Sequence, residues 1–497
     1  MTATLSLASI LAEPARRRPD HLAVVEGRHR LTFAELWRQA RAVAGALRAR
    51  GIAPGDRVAL MCPNTVDFPR AYFGILAAGA TVVPVHLLLT AGEAAHVLRD
   101  SGARLLLCHD QVAAVGRAAA AAAGIDCVAP GDLDGEPVAA FVSRDPLDTA
   151  VVFYTSGTTG TPKGAELSHL NMVLCATVNS FDANEVHRDD IALGALPLFH
   201  VFGQTVSMNS HWRVGATLVL LPRFEAAAAI ELMLAEGVNT FHGVPTMYVG
   251  LLDAAARTAT LPRLKLCVSG GAALPPPVLE EFARVYGADI LEGYGLSETS
   301  PTAAVNQPAL GTRAGTVGHP VWGVDVEIAD PAVADRIVLL PTGESGEVVV
   351  RGHNVFSGYT GNPEATARAV VDGWFRTGDL GVKDDDGFLR IVDRIKEMIL
   401  RGGFNVYPTE VEAALLRHPA IAQVAVIGVP DPTYGEEIVA VVVASAPVTE
   451  AQIIDYAREH LARYKYPRRV EFVGELPLGP SHKVLKRVLR DRFGGAR

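Results

Sequence analysis

The sequence predicts an α/β protein: a large layered α/β N-terminal region, a β-rich stretch after it, and a small α+β domain at the C-terminal end. Three observations carry this. Short apolar runs alternate with helical periodicity through the first part of the chain; helical patterns thin out after about Gly311; and a fresh mixed pattern begins beyond Asp393-Arg394-Ile395-Lys396. With 497 residues the chain exceeds a single core, and its 49% hydrophobic content can fill more than one.

Element by element, Phe33 to Arg50 has helical spacing and stops at Gly51, Arg57 to Met61 reads as a strand, Asp67 to Ala78 as a helix and Thr81 to Val85 as a strand. Further strands are expected at Arg104 to Cys108, Ile191 to Leu196, Thr217 to Leu221 and Leu264 to Val268, with helices at Ala226 to Glu236 and Pro277 to Tyr286. The alanine-rich Ala113 to Ala123 contains Arg117 and is too short to span a bilayer, so it is expected as a core helix. Val324 to Ile328, Gly346 to Arg351 and Phe388 to Ile391 read as strands joined by Gly, Asp and Asn turns, which makes 311–393 a β-rich subdomain. Beyond it come a helix near Glu410 to Arg417, strands at Val424 to Val429 and Ile438 to Ser445, a helix at Glu450 to Leu461 and a strand at Arg469 to Phe472.

Charge and cysteine content exclude several functions. Lys and Arg number 45 against 54 Asp and Glu, a net of −9, without the basic surplus that nucleic-acid binding requires, so small molecules are the expected partners. Five scattered cysteines, none in C-x-x-C spacing, indicate neither a disulfide framework nor a zinc site and suit a reducing cytoplasm. The apolar stretch from Leu5 to Leu11 is followed by Arg16-Arg17-Arg18, the reverse of a signal peptide, and no uncharged apolar run is long enough to cross a membrane. Oligomeric state is not encoded in any of these patterns, and homo-oligomerisation stays open.

The most informative local sequence runs from Tyr154 to Gly164. Thr155, Ser156, Gly157, Thr158, Thr159, Gly160 and Lys163 combine hydroxyl donors, exposed backbone N–H groups and a point charge, as a polyphosphate site needs. It directly follows the apolar run Ala150 to Phe153, as a loop leaving a buried strand does. It is not a Walker A loop, because the G-x-x-x-x-G-K-[ST] spacing is absent and Lys163 is followed by glycine.

Five ordered segments then carry a resemblance: Tyr154 to Gly164, Pro197-Leu-Phe-His200, Glu292-Gly-Tyr-Gly-Leu-Ser-Glu298-Thr, Trp374-Phe-Arg-Thr-Gly-Asp379, and Asp393-Arg-Ile-Lys-Glu with Gly402-Gly-Phe-Asn-Val-Tyr-Pro408. Together they resemble the adenylate-forming superfamily of acyl-CoA synthetases, luciferases and peptide-synthetase adenylation domains, over essentially the whole chain, and lie closest to acyl-CoA synthetases of the fatty-acid type. The resemblance implies a domain of residues 1–393 that binds ATP and the acid, a hinge at 394–396, and a mobile lid at 397–497. It also implies two steps, in which carboxylate and ATP give acyl-adenylate and pyrophosphate, and a thiol then takes the acyl group.

The same resemblance assigns residues. Thr155 to Gly160 and Lys163 would grip the β- and γ-phosphates; Glu292, Gly293, Tyr294, Gly295 and Ser297 would form the nucleotide site, with Tyr294 on the adenine; Glu298 would hold Mg2+. Gly270 and Gly271, in Ser269-Gly-Gly-Ala272, would let adenine or the acyl group lie against backbone. Asp379 would accept the ribose hydroxyls, and Arg394 would reach ribose or phosphate. Lys396 falls at the hinge, and Gly402, Gly403 and Phe404 match the loop lining the CoA pantetheine tunnel. In Pro477-Leu-Gly-Pro-Ser-His482-Lys483-Val-Leu-Lys486, Lys483 matches the lysine bridging carboxylate and α-phosphate; His482 replaces the usual glycine before it, which makes Lys486 the alternative. Lys483, Lys163 and His200 are the expected catalytic set, with Phe199 and His200 near the substrate carboxylate.

The expected activity is that of an acid-thiol ligase, an AMP-forming acyl-CoA synthetase using ATP, Mg2+ and coenzyme A on a hydrophobic carboxylic acid. Phe202, Val244, Met247, Val305 and Trp322 are its expected pocket residues, and no acidic residue in these motifs is placed to pair with a substrate amine. The alternative is a stand-alone acyl-AMP ligase that loads a carrier protein in trans. A ligand-binding pseudoenzyme is disfavoured because Lys163, Glu298, Asp379, Arg394 and Lys483 are all present.

Overall fold

The computed structural model describes residues 3–155, 162–478 and 484–494. Two compact units make up the chain, Met1–Val326 with Val350–Phe375, and Glu327–Val349 with Arg376–Arg497. The chain therefore passes between them three times, where the motif order suggested one passage at 394–396. Residues 376–394 group with the C-terminal segment through bonds such as that from the Thr409 N–H to Asp393 Oδ2, at 3.0 Å.

The first unit holds two sheets. One is ordered Gly358–Tyr359, Lys163–Ser168, Thr149–Thr155, Thr81–Pro84, Arg57–Met61, Leu105–Cys108, Asp126–Val128. The other is ordered His319–Pro320, Thr302–Val305, Ile290–Gly295, Leu266–Ser269, Thr240–Gly243, Ile191–Gly194, Thr217–Leu220, Leu22–Glu26, His29–Thr32. Most interior neighbours are parallel, and their strands read as continuous apolar runs because both faces are covered. Helix ends follow local chemistry. Ala226–Glu236 starts where the Glu225 carboxylate accepts the N–H groups of Ala227 and Ala228 and stops at Gly237 in the left-handed conformation.

One expectation fails here. Ala113–Ala123 is a helix, but only Gly116, Ala119 and Ala120 are buried, so it lies on the surface. Alanine is helix-favouring and too small to demand burial, and a single stripe is enough to seat the helix; a Cβ at Gly116 would stand 2.2 Å from Cys108 Sγ.

In the second unit Ile421–Asp431 and Gly435–Ala444 pair antiparallel, with Ile399–Arg401 and Arg469–Phe472 on the flanks of the latter. Their alternation separates two cores. Val424, Val426, Ile438, Ala440 and Val442 face the helices Pro408–Leu415 and Glu450–His460, while Ala425, Ile427, Val429, Val439 and Val441 meet Leu489 of Lys486–Phe493. No helix among the described residues is long and apolar enough to cross a membrane.

Candidate active site

Thr149–Thr155 and Lys163–Ser168 form an antiparallel pair in which Thr155 stands opposite Lys163, so the two ends of the phosphate-loop sequence meet at one sheet end. Ser156, Gly157, Thr158, Thr159 and Gly160 of that loop lie outside the described residues. Glu298, 7% exposed, sits where this pair ends: its Oε1 accepts from the Tyr359 hydroxyl at 2.9 Å and from Thr155 Oγ1 at 3.4 Å. Lys163 Nζ lies 5.2 Å from the centre of the Tyr359 ring. The expected phosphate and metal residues Thr155, Lys163 and Glu298 are thus brought together, and Tyr359 joins them unannounced.

Tyr359 was missed because its signal is tertiary. It belongs to a two-residue strand, Gly358–Tyr359, which pairs with Lys163–Ser168, and its N–H donates to Thr366 Oγ1 at 2.9 Å. Burial and the neighbouring Glu298 carboxylate push its phenol well up, so it is a neutral donor. Glu298 Oε2 takes no hydrogen bond among the described residues. A buried carboxylate with one oxygen anchored and one available suits a hard cation, and no cluster of three protein ligands surrounds it among the described residues.

The Glu292 to Thr299 segment is a strand, Ile290–Gly295, turning back into Thr302–Val305. A Cβ at Gly295 would lie 1.6 Å from the Pro301 carbonyl oxygen, so only glycine permits this turn. Tyr294 and Ser297 are half-buried on it. Glu292 is buried and accepts N–H groups from Gly315 at 3.2 Å and Leu274 at 3.4 Å; burial still raises its carboxyl to about 7. Gly270 follows the strand Leu266–Ser269, and a Cβ there would stand 3.2 Å from the Phe202 ring and 3.5 Å from the Gly293 carbonyl oxygen. Gly271 takes φ +86. Gly293 in turn faces Val305, so Phe202, Gly270, Gly293 and Val305 form one wall at the carboxyl ends of parallel strands, where open α/β sheets bind ligands.

His200 is half-buried in the turn ahead of the π-helical segment Gly203–Asn209, and its Nδ1 accepts the Phe202 N–H at 3.3 Å. A neutral ring then carries its proton on Nε2. Phe199 packs edge-on against His86, with centroids 4.5 Å apart. Val244, Met247 and Val305 are buried as a pocket requires, but Trp322 is 64% exposed beside His353, and its place among the pocket residues is corrected. The sequence could not show this, because the apolar character of Trp322 says nothing about which way its turn faces.

In the second unit Asp379 and Arg394 are register partners on adjacent antiparallel strands, joined from Arg394 Nε to Asp379 Oδ1 at 3.1 Å. Asp379 is 4% exposed, which is not the setting of an ordinary surface ion pair. Lys396 follows in the turn Ile395–Glu397; burial and the nearby Arg394 lower its ammonium pKa. Gly402 and Gly403, at φ +57 and +83, are the central residues of a two-residue hairpin between Ile399–Arg401 and Phe404–Val406. Phe404 is 55% exposed at its tip and stacks on Tyr464 at 4.7 Å.

Lys483 lies outside the described residues, but its rival is accounted for. Lys486 Nζ sits 2.8 Å from Glu412 Oε1 and 3.7 Å from Glu397 Oε2. Burial pushes the Lys486 pKa down, yet the two carboxylates outweigh it and hold the ammonium charged. Glu412 Oε1 also accepts the Val426 N–H at 2.7 Å, tying this helix start to the central strand.

The profile of the family described as AMP-binding enzyme matches residues 11–360, and that described as AMP-binding enzyme C-terminal domain matches residues 410–483. A feruloyl-CoA synthase of Amycolatopsis sp is 39% identical over 487 residues, covering 97% of each chain. A fatty acid–[acyl-carrier-protein] ligase, ScoC, of Streptomyces coeruleorubidus is 37% identical over 500 residues, covering 97% of this chain and 95% of its own. Among solved structures, ATP-bound MatB from Rhodopseudomonas palustris superposes with a TM-score of 0.89 at 32% identity, covering 98% of this chain and 99% of that one.

Proposed function

The chain belongs to the AMP-binding enzyme family, and on that premise we propose that it is an ATP-dependent acyl-CoA synthetase acting on a hydrophobic carboxylic acid. The observation that carries this reading is the meeting of Thr155, Lys163, Tyr359 and Glu298 at the two ends of the phosphate-loop sequence. In-line attack of a carboxylate on the α-phosphate needs the β- and γ-phosphates held as a leaving unit, and a lysine with flanking hydroxyls and N–H groups supplies that hold. Lys163 and the loop from Thr155 to Gly160 take this role. Glu298 would hold Mg2+, its carboxylate fixed by the Tyr359 hydroxyl through Oε1, and the ion would supply neutralisation of the phosphate charge.

Tyr294 lies against adenine, with Glu292, Gly293, Gly295 and Ser297 shaping the nucleotide site beside Gly270 and Gly271. His200 offers its Nε2 proton to the substrate carboxylate, and Phe202, Val244, Met247 and Val305 enclose the acyl group. Asp379 accepts the ribose hydroxyls with Arg394 steadying its carboxylate. Lys483 bridges carboxylate and α-phosphate, since Lys486 is committed to Glu412 and Glu397. Rotation at 394–396, with Lys396 in the hinge, then brings Gly402, Gly403 and Phe404 to the pantetheine arm of coenzyme A. The five cysteines are all free, which supports a cytoplasmic location.

A second reading is favoured by one finding, the carrier-protein ligase among the relatives, and makes a carrier thiol the acceptor. The test is pyrophosphate release with ATP, Mg2+ and a panel of fatty, aryl and polycyclic acids, with and without coenzyme A, and mass detection of products. Thioester formed only with coenzyme A supports the synthetase; acyl-adenylate left untouched by coenzyme A overturns it in favour of carrier loading.

A further inference from the structure

The strand that carries Tyr359 is two residues long and lies at the edge of its sheet, yet both Glu298 and Lys163 meet Tyr359 there. Gly358 and Tyr359 pair with Glu166 and Ala165. The flanking N–H groups of Ser357 and Thr360 donate to the carbonyl oxygens of Glu166 at 2.9 Å and Gly164 at 2.8 Å. So short an edge strand has few ladder bonds to keep it from opening locally. It is held further by side chains to which the proposed reaction gives no role.

Thr360, the residue after Tyr359, sends its hydroxyl to Glu166 Oε1 at 2.8 Å. The same carboxylate oxygen accepts from Arg57 Nη2 at 2.6 Å, and Oε2 accepts from Thr149 Oγ1 at 3.4 Å. Arg57 opens a strand that two others separate from that of Glu166, and its Nη1 donates to the Ser101 carbonyl oxygen at 2.9 Å. The guanidinium is thus bound on two sides, and charge-assisted bonds of this kind are strong and directional. On the Glu298 side, the Phe356 N–H donates to the Glu298 carbonyl oxygen at 2.9 Å, and the Phe356 ring packs edge-on against Tyr359 at 4.8 Å. Residues 356–360 are therefore tied at one end to Glu298 and at the other to Glu166, which Arg57 anchors to the interior of the sheet.

We propose that Glu166 is a positioning residue: held by Arg57, it fixes Thr360 and through it the Tyr359 hydroxyl, which sets the Glu298 carboxylate and the Lys163 ammonium in place for the triphosphate end of ATP. The inference rests on the nucleotide reading of the site. It makes a directional claim. Loosening Thr360 acts on the β- and γ-phosphate end and leaves the adenosine end, assigned to Tyr294, as it is. AMP lacks that triphosphate end, so the two nucleotides separate a positioning role from a general loss of structure.

The test is calorimetric binding of ATP with Mg2+, and of AMP, to the full-length protein with no acid present, so that nothing turns over. Thr360→Val, which keeps the shape and deletes the hydroxyl, should raise Kd for ATP about tenfold and Kd for AMP by less than about twofold. Thr360→Ser should restore ATP binding, and Glu166→Gln, which loses the charge facing Arg57, should weaken it in the same selective way. In a Tyr359→Phe background the Thr360→Val change should add less than about twofold, because no hydroxyl is left to place. Unchanged ATP affinity in Thr360→Val, equal losses for ATP and AMP, or full additivity with Tyr359→Phe would each overturn the inference. An unaltered protein that binds no ATP would sink the synthetase reading and the inference with it, whereas a failure confined to the variants overturns the inference alone.

Discussion

Replacing Lys486 by methionine removes one charge from a nearly closed triad and tests the choice between the two lysines of the C-terminal motif. The ammonium has Glu412 at 2.8 Å and Glu397 at 3.7 Å, and its side chain keeps only 13% of its exposure. Stranding the partner of a buried ion pair costs roughly 3–5 kcal/mol. The two glutamates keep 18% and 24% exposure, so water relieves part of that, and about 3 kcal/mol is the expected loss. The pair's contribution is complete at neutral pH: the folded pKa of Lys486 is raised, so its stabilisation is present below 10.5 and lost only as pH rises through the raised value.

The assay is hydrogen exchange on peptides spanning Pro408–Leu415 and Lys486–Phe493, alongside pyrophosphate release at a temperature where the variant stays folded. Exchange there should quicken roughly a hundredfold, with partial recovery on adding Glu412→Gln, whose amide oxygen can still accept the Val426 N–H. Adenylation per folded molecule should persist. Unchanged exchange would refute the structural role, and loss of adenylation with intact protection would make Lys486 the catalytic lysine.

Tyr359→Phe deletes one hydrogen bond to Glu298; a fall of about tenfold in kcat/KM for ATP with a steeper Mg2+ requirement is expected, since bonds to charged groups contribute roughly 1.5–3 kcal/mol, and wild-type Mg2+ dependence would count against the assignment. Gly270→Ala places a methyl 3.2 Å from the Phe202 ring, so KM should rise more for bulky aromatic acids than for short aliphatic ones; equal effects across the panel would remove Gly270 from the acyl wall. His169 Nδ1 accepts the Leu7 N–H at 3.0 Å, and burial lowers its pKa to about 4 from 6.5. Its contribution is therefore present above pH 6.5 and lost as pH falls towards about 4, and His169→Asn, which keeps an acceptor without titrating, should lose about 3 kcal/mol less over that window in urea unfolding.

What the sequence made legible was the local part of the design. Arg57–Met61, Ala226–Glu236 and Arg469–Phe472 end where alternation, Glu225 and the flanking turns say they should. The motifs likewise foretold that Thr155 and Glu298 meet, though they stand 143 residues apart. Tyr359 was not legible as a candidate site residue, because it matters through Glu298 and Lys163, neighbours supplied by other elements. Lys483 and Lys486 are three positions apart with the same side chain; only the pairing of Lys486 with Glu412 and Glu397 separates them. Ala113–Ala123 shows the limit of composition, since apolar content without bulk does not fix depth.

The triple passage between the units bears on how the chain is made. Glu327–Val349 is synthesised before Val350–Phe375 but belongs with residues that come later, so it must wait while the first unit closes. Glu347 waits for Arg376, which binds its carboxylate at 2.6 Å, and for the Gly378 N–H at 3.0 Å. During that interval the apolar Val348 and Val349 lie on an unfinished strand, the period in which a nascent chain is most exposed to aggregation. A fragment cut to begin at Arg376 would therefore carry a stranded guanidinium and an unfilled face, and an independently folding second unit has to include Glu327–Val349 as well.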